Sequence, residues 1–322
     1  LVLLMMVAVN VSFVEMIHAT QVERFLLVPV GYFTGGIAVV LLTAPLTRAF
    51  SLAGMYAAFL LGFLVVDVFL FFVALSPREK RLPEERPAGK QGEIPKKELR
   101  ELWLAGTMLY GLLWLDKLYY WFVLGEPIGG TALFGYPRYD IAIFWGQITI
   151  IPGLVYYLVA GETDFFRELR RTVRAVMNRP YPGVEEQKSR LEAVHRYHLY
   201  RQSSLQAIFV AALLPLSSHL ARLVYGDPTG STTILSVLVG SALYLTHYTL
   251  FINLLYLKRY RDAIAGTAVA IGVVIVALIA PASPQRWLGV PFALGSLAGS
   301  LTCLYAFRGT VRHLERTILT GS

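Results

Sequence analysis

Long apolar stretches alternate with short charged connections along most of the chain. A membrane core of about 30 Å is crossed by a helix of roughly 20 apolar residues. Nine stretches approach or exceed that length, at residues 1–17, 25–47, 51–75, 101–124, 139–160, 199–223, 231–257, 263–281 and 287–307. The pattern therefore predicts an all-α polytopic membrane protein with nine transmembrane helices. Gly31, Gly35 and Gly36 in the second stretch are expected to allow close helix contact, and the spacing of Gly295 and Gly299 in the last stretch predicts a packing face.

One connection differs from the others in length and composition. Residues 76–100 are rich in proline, glycine and charge, so they cannot bury themselves in a core. We interpret this stretch as a solvated linker. It would join the end of a first helical bundle, residues 1–75 with three helices, to a second bundle, residues 101–322 with six.

The positions of the basic residues predict the orientation. Lysines and arginines are concentrated in 76–100, in 161–201 and after residue 307, whereas the opposite connections hold isolated arginines. Basic residues favour the cytoplasmic side, so we place these three regions in the cytoplasm. Residue 1 then lies on the outer face, and we expect an odd number of helices to precede it if the natural N-terminus is cytoplasmic.

The cytoplasmic insertion at residues 161–198 is too polar to span a membrane. Apolar residues recur at helical spacing opposite a basic face: Phe165, Phe166, Leu169, Val173 and Val176 against Arg167, Arg170, Arg171 and Arg174. We expect an amphipathic helix that breaks at Pro180–Pro182 before a second helix. It would either lie on the inner leaflet of the bilayer or form an ordinary solvated hairpin.

Composition excludes several classes of function. The chain is 56% hydrophobic with a mean hydropathy of +0.56. Its net charge of +8 lies in the connections, as membrane topology requires, so no nucleic-acid partner is expected. There is one cysteine, the six histidines lack metal-ligand spacing, and no phosphate loop or nucleophile elbow is present. We expect no enzyme activity, no cofactor and no metal.

Asp116 and Lys117 lie inside a span of leucines and aromatic residues. Charges at membrane depth are costly and usually mark function or a partner. Adjacent residues differ by about 100° around a helix, so the two cannot point at one spot. Sugar rings stack on aromatic faces, and we interpret a wider set as a substrate path: Trp114, Asp116, Lys117, Tyr120, Trp121, Asp140 and Gln147. Alternatively, Lys117 pairs with Asp140 or Asp67 and only locks two helices.

Three further features are candidates for smaller roles. Pro152 and Gly153 interrupt a span and are predicted to form a hinge. At the inner end of that span, Glu162, Asp164 and Arg167 would contact a cytoplasmic partner, or Thr163 or Asp164 would cap the amphipathic helix. Asp67 and Asp116 are candidate sites for a coupling cation, either a proton or Na⁺.

Residues 113–165 carry an ordered set of motifs. One span holds Asp-Lys followed by aromatics, and the next opens on Tyr-Asp, contains Ile-Ile-Pro-Gly and closes on Glu-Thr-Asp-Phe. The residues are Asp116, Lys117, Tyr120, Trp121, Phe122, Tyr139, Asp140, Ile150–Gly153 and Glu162–Phe165. This set resembles the PelG family of exopolysaccharide transporters, whose span pattern and lengths agree with the whole chain.

The resemblance implies a twelve-helix, two-bundle, flippase-like exporter fold in a bacterial inner membrane. This chain would lack the first three helices, and the family's basic pair after its tenth helix is present only loosely, at Lys258–Arg261. The implied role is outward transport of cationic, amino-sugar-rich Pel polysaccharide for the biofilm matrix. The implied partners are a cytoplasmic glycosyltransferase and a membrane protein that senses cyclic di-GMP.

Two other functions remain open. The chain could be a cation-coupled exporter of lipid intermediates or small molecules. It could also be a scaffold without transport, which anchors a glycosyltransferase on residues 76–100 and 161–198.

Overall fold

The chain divides into two units, Leu1–Gly92 and Glu93–Ser322, and the described residues of both are almost all helical. The computed structural model describes residues 4, 7–8, 11–12, 27–75, 96–127, 134–178, 180–226, 230–280 and 287–315. Most of the expected linker, residues 76–95, lies outside these ranges, and residues 96–100 already belong to a helix. The assignment of 1–75, 76–100 and 101–322 therefore stays a prediction.

The first unit is dominated by helix α1, Leu27–Leu75, which folds back on itself. Ser51 interrupts it with φ 53° and ψ −134°, a conformation outside the helical region. The arms on either side, Val30–Ser51 and Ala53–Val73, are each long and apolar enough to cross a membrane. They correspond to two of the predicted spans.

Glycine sets how closely the two arms approach. A Cβ atom on Gly35 would lie 2.7 Å from the carbonyl oxygen of Gly62 and would also collide with Val66. A Cβ atom on Gly31 would lie 2.8 Å from the Phe69 ring. The predicted close contact is therefore confirmed for Gly31 and Gly35. No such contact is found for Gly36 among the described residues, since none of their atoms lies within 4 Å of a Cβ atom placed there.

The second unit contains the remaining helices and one small hairpin. In chain order these are α2 Lys96–Leu124, β1 Glu126–Pro127, β2 Phe134–Gly135, α3 Pro137–Tyr156, a π turn Tyr157–Gly161, α4 Glu162–Asn178, α5 Tyr181–Leu213, α6 Ser217–Tyr225, α7 Ser231–Tyr256, α8 Tyr260–Ile279 and α9 Val290–Arg312. The two short strands pair antiparallel, with Glu126 opposite Gly135.

Helix α7 lies at the centre of this unit. It packs against α3 and α9, while α8 packs against α9 and α2. Gly295 and Gly299 of α9 face Ala270, and a Cβ atom at either position would crowd this residue or His247 of α7. These two glycines therefore serve helix packing, as predicted from their spacing.

Six helices in the described ranges are long and apolar enough to cross a membrane. Together with the almost entirely helical backbone they confirm the all-α polytopic class. Helix α2 covers predicted span 101–124, but its charged and aromatic residues keep it outside the six. Predicted span 199–223 is broken at residues 214–216, where Pro215 lacks an N–H. Span 1–17 lies mostly outside the described ranges, so nine spans stay a prediction.

The insertion at 161–198 is a helical hairpin. Helix α4 ends at Asn178 and α5 begins at Tyr181, which confirms the break predicted at the prolines. The apolar face of α4 is buried inside the protein, with the Phe165 ring 6.0 Å from that of Phe307 in α9. This burial favours the solvated hairpin over a helix that lies on the bilayer.

Substitution of adjacent glycines tests the packing of the α1 arms. Gly35→Ala should destabilise the chain by about 1–3 kcal/mol because its methyl group meets backbone. Gly36→Ala should be neutral or should stabilise the helix by up to about 1 kcal/mol, because it has space and alanine favours helix. Thermal unfolding of the purified protein in detergent measures both. Equal effects at the two positions would contradict the close contact.

Candidate functional site

The predicted path residues on α2 separate into two clusters. The first, called the anchor cluster, consists of Asp116, Tyr120 and Tyr139, all of which are buried. The Tyr139 hydroxyl donates a hydrogen bond to the Asp116 carboxylate, and the rings of Tyr120 and Tyr139 lie 4.6 Å apart. The backbone N–H of Lys117 donates a second hydrogen bond to Asp116, at 2.7 Å. The anchor cluster thus joins α2 to α3 inside the bundle.

The second cluster, called the tryptophan face, consists of Trp114, Lys117 and Trp121 of α2 with Asp140 of α3. The two indole rings are 6.0 Å apart in an edge-to-face arrangement, and the Lys117 ammonium lies 4.6 Å from the Trp114 ring centroid. The Trp121 indole N–H donates to the Asp140 carboxylate at 2.7 Å. Trp114 remains 44% exposed, so this cluster reaches the surface of the chain.

Helical geometry explains why adjacent residues belong to different clusters. Positions 114, 117 and 121 follow one another at spacings of three and four, so they form one stripe about 130° around the helix from Asp116. Position 120 lies only about 40° from Asp116 and joins the anchor cluster. The order of residues along α2 therefore produces one buried face and one partly open face.

Asp140 organises the start of α3. Besides the Trp121 indole it accepts a hydrogen bond from the Tyr136 backbone N–H at 3.0 Å, which satisfies a free donor at the helix start. Within the second unit, no described carboxylate forms an ion pair with Lys117. The contact between α2 and α3 is therefore made by the Trp121 indole and the Asp140 carboxylate, and not by the predicted Lys117–Asp140 ion pair.

Gln147, Pro152 and Gly153 lie further along α3. Gln147 is partly buried, and no described hydrogen bond joins it to either cluster. The helix runs through Pro152 and Gly153, and its irregular turn follows at Tyr157–Gly161. Gly153 permits close packing, since a Cβ atom there would lie 2.6 Å from Leu245. The hinge stays a prediction.

A polar seam between α3, α5 and α7 was largely missed from the sequence. The Gln206 amide donates to the Thr149 hydroxyl at 3.3 Å, and the Thr249 hydroxyl donates to the Gln202 carbonyl at 2.9 Å. The free ends of these two glutamines have no hydrogen-bond partner within the described residues. Two glutamines four residues apart at the start of a predicted span lie on one face of the helix, and that spacing was the available signal.

The seam continues toward the inner end of the bundle. Tyr157 donates to the Asn253 side-chain carbonyl at 2.8 Å, and the Asn253 amide lies 2.9 Å from Nδ1 of His195. The Tyr256 hydroxyl donates to the buried Glu162 carboxylate. These contacts hold α3, α5 and α7 together where the hairpin begins.

The predicted cytoplasmic contact residues serve two different groups. Glu162 is buried against Tyr256, whereas Asp164 is partly exposed and bonds Arg167 at 3.2 Å and His198 at 3.1 Å. The capping role for Thr163 or Asp164 is wrong, because α3, the π turn and α4 form one continuous helical run with no free start. Contact with a partner stays a prediction.

The candidate cation sites lie in separate units. Asp67 is buried in α1 and accepts a hydrogen bond from the Ser12 hydroxyl, and Asp116 belongs to the anchor cluster. In the described ranges no group of three or more His, Cys, Asp or Glu side chains could hold a metal ion. Cation coupling at Asp67 or Asp116 stays a prediction.

A double-mutant cycle tests the anchor cluster. Asp116→Asn and Tyr139→Phe should each cost about 1–3 kcal/mol of stability, because each removes a buried hydrogen bond. The double variant should cost less than the sum, because the two side chains share one bond. Tyr119→Phe, which removes a neighbouring hydroxyl, is the control. Strictly additive losses in thermal unfolding would exclude the pairing.

Comparison with known proteins agrees with this architecture. Residues 1–319 match the PelG family, which carries the description "Putative exopolysaccharide Exporter (EPS-E)". No curated protein and no solved structure matches the chain significantly. The family match extends over essentially the whole chain, including both units and both clusters on α2. The chain therefore belongs to the PelG family of exopolysaccharide exporters.

Proposed function

We propose that this chain moves a Pel-type, amino-sugar-rich polysaccharide outward across a bacterial inner membrane into the biofilm matrix. Family membership and the six membrane-length helices support export of a polysaccharide through the membrane. The tryptophan face is the observation that carries the choice of site. It combines the exposed Trp114 ring with the partly buried Trp121 ring and Asp140 carboxylate, and the Lys117 ammonium lies buried beside Trp114.

The chemistry of the tryptophan face suits a glycan. The C–H faces of sugar rings stack on indoles, and Trp114 presents an exposed ring beside Trp121. Asp140 receives two hydrogen bonds, and its carboxylate has further acceptor capacity for a sugar ammonium or hydroxyl group. Stacking gives weak, repeated contacts, which a polymer that must keep moving requires.

The anchor cluster supports this surface without touching the substrate. Asp116 is only 1% exposed and its partner Tyr139 is fully buried, so we assign both to positioning of α2 against α3. Tyr120 has the same role through its ring contact with Tyr139. We propose that Gln147 contacts the polysaccharide further along α3 and that Pro152 and Gly153 form a hinge in this helix.

A polymer exporter works beside the enzyme that makes the polymer. We propose that the α4–α5 hairpin faces a cytoplasmic glycosyltransferase and that a membrane partner sensing cyclic di-GMP joins the assembly. The exposed pair Asp164–Arg167 would lie at this contact. Cross-linking from position 167 in cells is the direct check, and failure to capture either protein would count against the assembly.

Removal of the indoles should reduce export. Trp114→Leu and Trp121→Leu should each lower the amount of secreted polysaccharide about five- to tenfold, because one stacked ring contributes about 1 kcal/mol or slightly more. Trp287→Leu is the matched control, since Trp287 is 52% exposed and forms no part of the tryptophan face. Secreted polymer is measured at equal levels of membrane-inserted protein.

Two results would contradict the proposal. Native secretion by the Trp114→Leu, Trp121→Leu double variant would remove the tryptophan face from the path. An equal loss in Trp287→Leu would show that any exposed tryptophan matters, through membrane anchoring and not through the glycan.

A further inference from the structure

The arginine-bearing side of the α4–α5 hairpin remains unexplained by transport through the bundle. Its apolar side is already covered, since Phe165, Leu169 and Ala175 are buried within the protein. The basic side, by contrast, carries exposed Arg171, Arg174 and Arg190. This surface is separate from the tryptophan face, which lies at the other end of α3.

The continuous helix formed by α3, the π turn and α4 is longer than the hydrocarbon core of a membrane is thick. The run Pro137–Asn178 contains 42 residues, which corresponds to about 60 Å of helix, twice the thickness of the membrane core of about 30 Å. Tyr139 and Asp140 mark its outer end. The last turns of α4 therefore project beyond the inner boundary of the bilayer.

An ion-pair cluster fixes the hairpin to the end of α9. Lys188 of α5 is buried, and its ammonium forms an ion pair with Glu315 at 2.9 Å and donates a hydrogen bond to the Arg312 carbonyl at 2.7 Å. Burial alone would lower the pKa of Lys188, but its bonds to Glu315 and Glu185 outweigh burial and raise that pKa. These contacts hold the α4–α5 hairpin against the end of α9.

A polar cleft of about 540 Å³ opens between α4 and α5 at the level of Lys188. Its lining includes Arg171, Arg174 and Asn178 on successive turns of α4, with Glu186, Gln187 and Arg190 across from them on α5. Gln187 is buried, and its amide is held by Glu168 at 2.6 Å. The volume is in the range of small-ligand sites.

One of the two ion pairs at the rim is weak enough to exchange. Arg190 and Glu186 are one helical turn apart at 2.7 Å, and both side chains are 63% exposed. Arg171 pairs with Glu168 on its own helix, but the Glu168 side chain is only 12% exposed, so this pair is the more persistent of the two. The exposed Arg190–Glu186 pair contributes little, so a doubly charged anion can displace it.

We propose that this cleft binds a phosphate-bearing anion at the cytoplasmic face. Guanidinium groups converge there from two helices, and their planar N–H pairs match phosphate oxygens in a bidentate manner. The cleft has room for a diphosphate, and its arginines can contact both phosphate groups. The phosphate could belong to a soluble compound or to an anionic lipid headgroup. This site is independent of the polysaccharide path.

Calorimetry with inorganic pyrophosphate on the purified native chain in detergent tests the site. The native protein should show saturable binding at one site. Arg174→Gln and Arg190→Gln should each weaken it about tenfold, the size expected when one charge-assisted contact is lost. Arg196→Gln removes the same charge from α5 outside the cleft and should bind like the native chain. Unchanged thermal unfolding identifies variants that retain the fold.

Nanodiscs separate the two sources of the phosphate. If the site takes a soluble anion, pyrophosphate should bind equally in phosphatidylcholine discs and in discs with added phosphatidylglycerol. If a lipid headgroup occupies it, phosphatidylglycerol should suppress pyrophosphate binding in the native chain. Two results would overturn the proposal: no saturable binding in either disc, or an equal loss in Arg196→Gln and the cleft variants.

Discussion

A carboxyl group buried inside a helical bundle must be hydrogen-bonded by its own protein, because its apolar surroundings offer no other partner. Tyr139 supplies that bond to Asp116, and the pair joins α2 to α3. The rotation of α2 is fixed by this bond. Since Trp114, Lys117 and Trp121 lie on one stripe away from Asp116, the same bond determines where the tryptophan face points. The buried Tyr139–Asp116 hydrogen bond thus determines the orientation of the tryptophan face.

The same constraint explains the rest of the second unit. Hydrogen bonds join α3, α5 and α7 through Thr149, Gln202, Thr249 and Asn253, and within the described residues they leave Nε2 of Gln202 and Oε1 of Gln206 without a partner. The seam ends at Glu162 and Tyr256, where the hairpin leaves the bundle.

The helical class and the two-sided nature of α2 follow from local rules, which need only hydropathy and the 100° step per residue. The close helix contact of Gly35 was predictable from its apolar surroundings in the sequence. The sequence alone could not show that the neighbouring Gly36 lacks such a contact, because this depends on where the arm Ala53–Val73 lies. The predicted helix cap at Thr163 was wrong because the π turn Tyr157–Gly161 continues the helix. No residue pattern in the sequence predicts such a turn. Gln202 and Gln206 were missed because their partners are about 50 residues away in the chain, and pairing at that range depends on tertiary packing.

The central claim is that the stripe of α2 bearing Trp114 contacts the polysaccharide while the opposite side of the helix does not. Photo-cross-linking in secreting cells tests this most directly, with the reactive side chain at position 114 or at Val123. Both native side chains are exposed, at 44% and 52%, but they lie on different sides of the helix. The account predicts capture of the polymer from position 114 and background levels from position 123. Equal capture from the two positions, or capture from 123 alone, would contradict it.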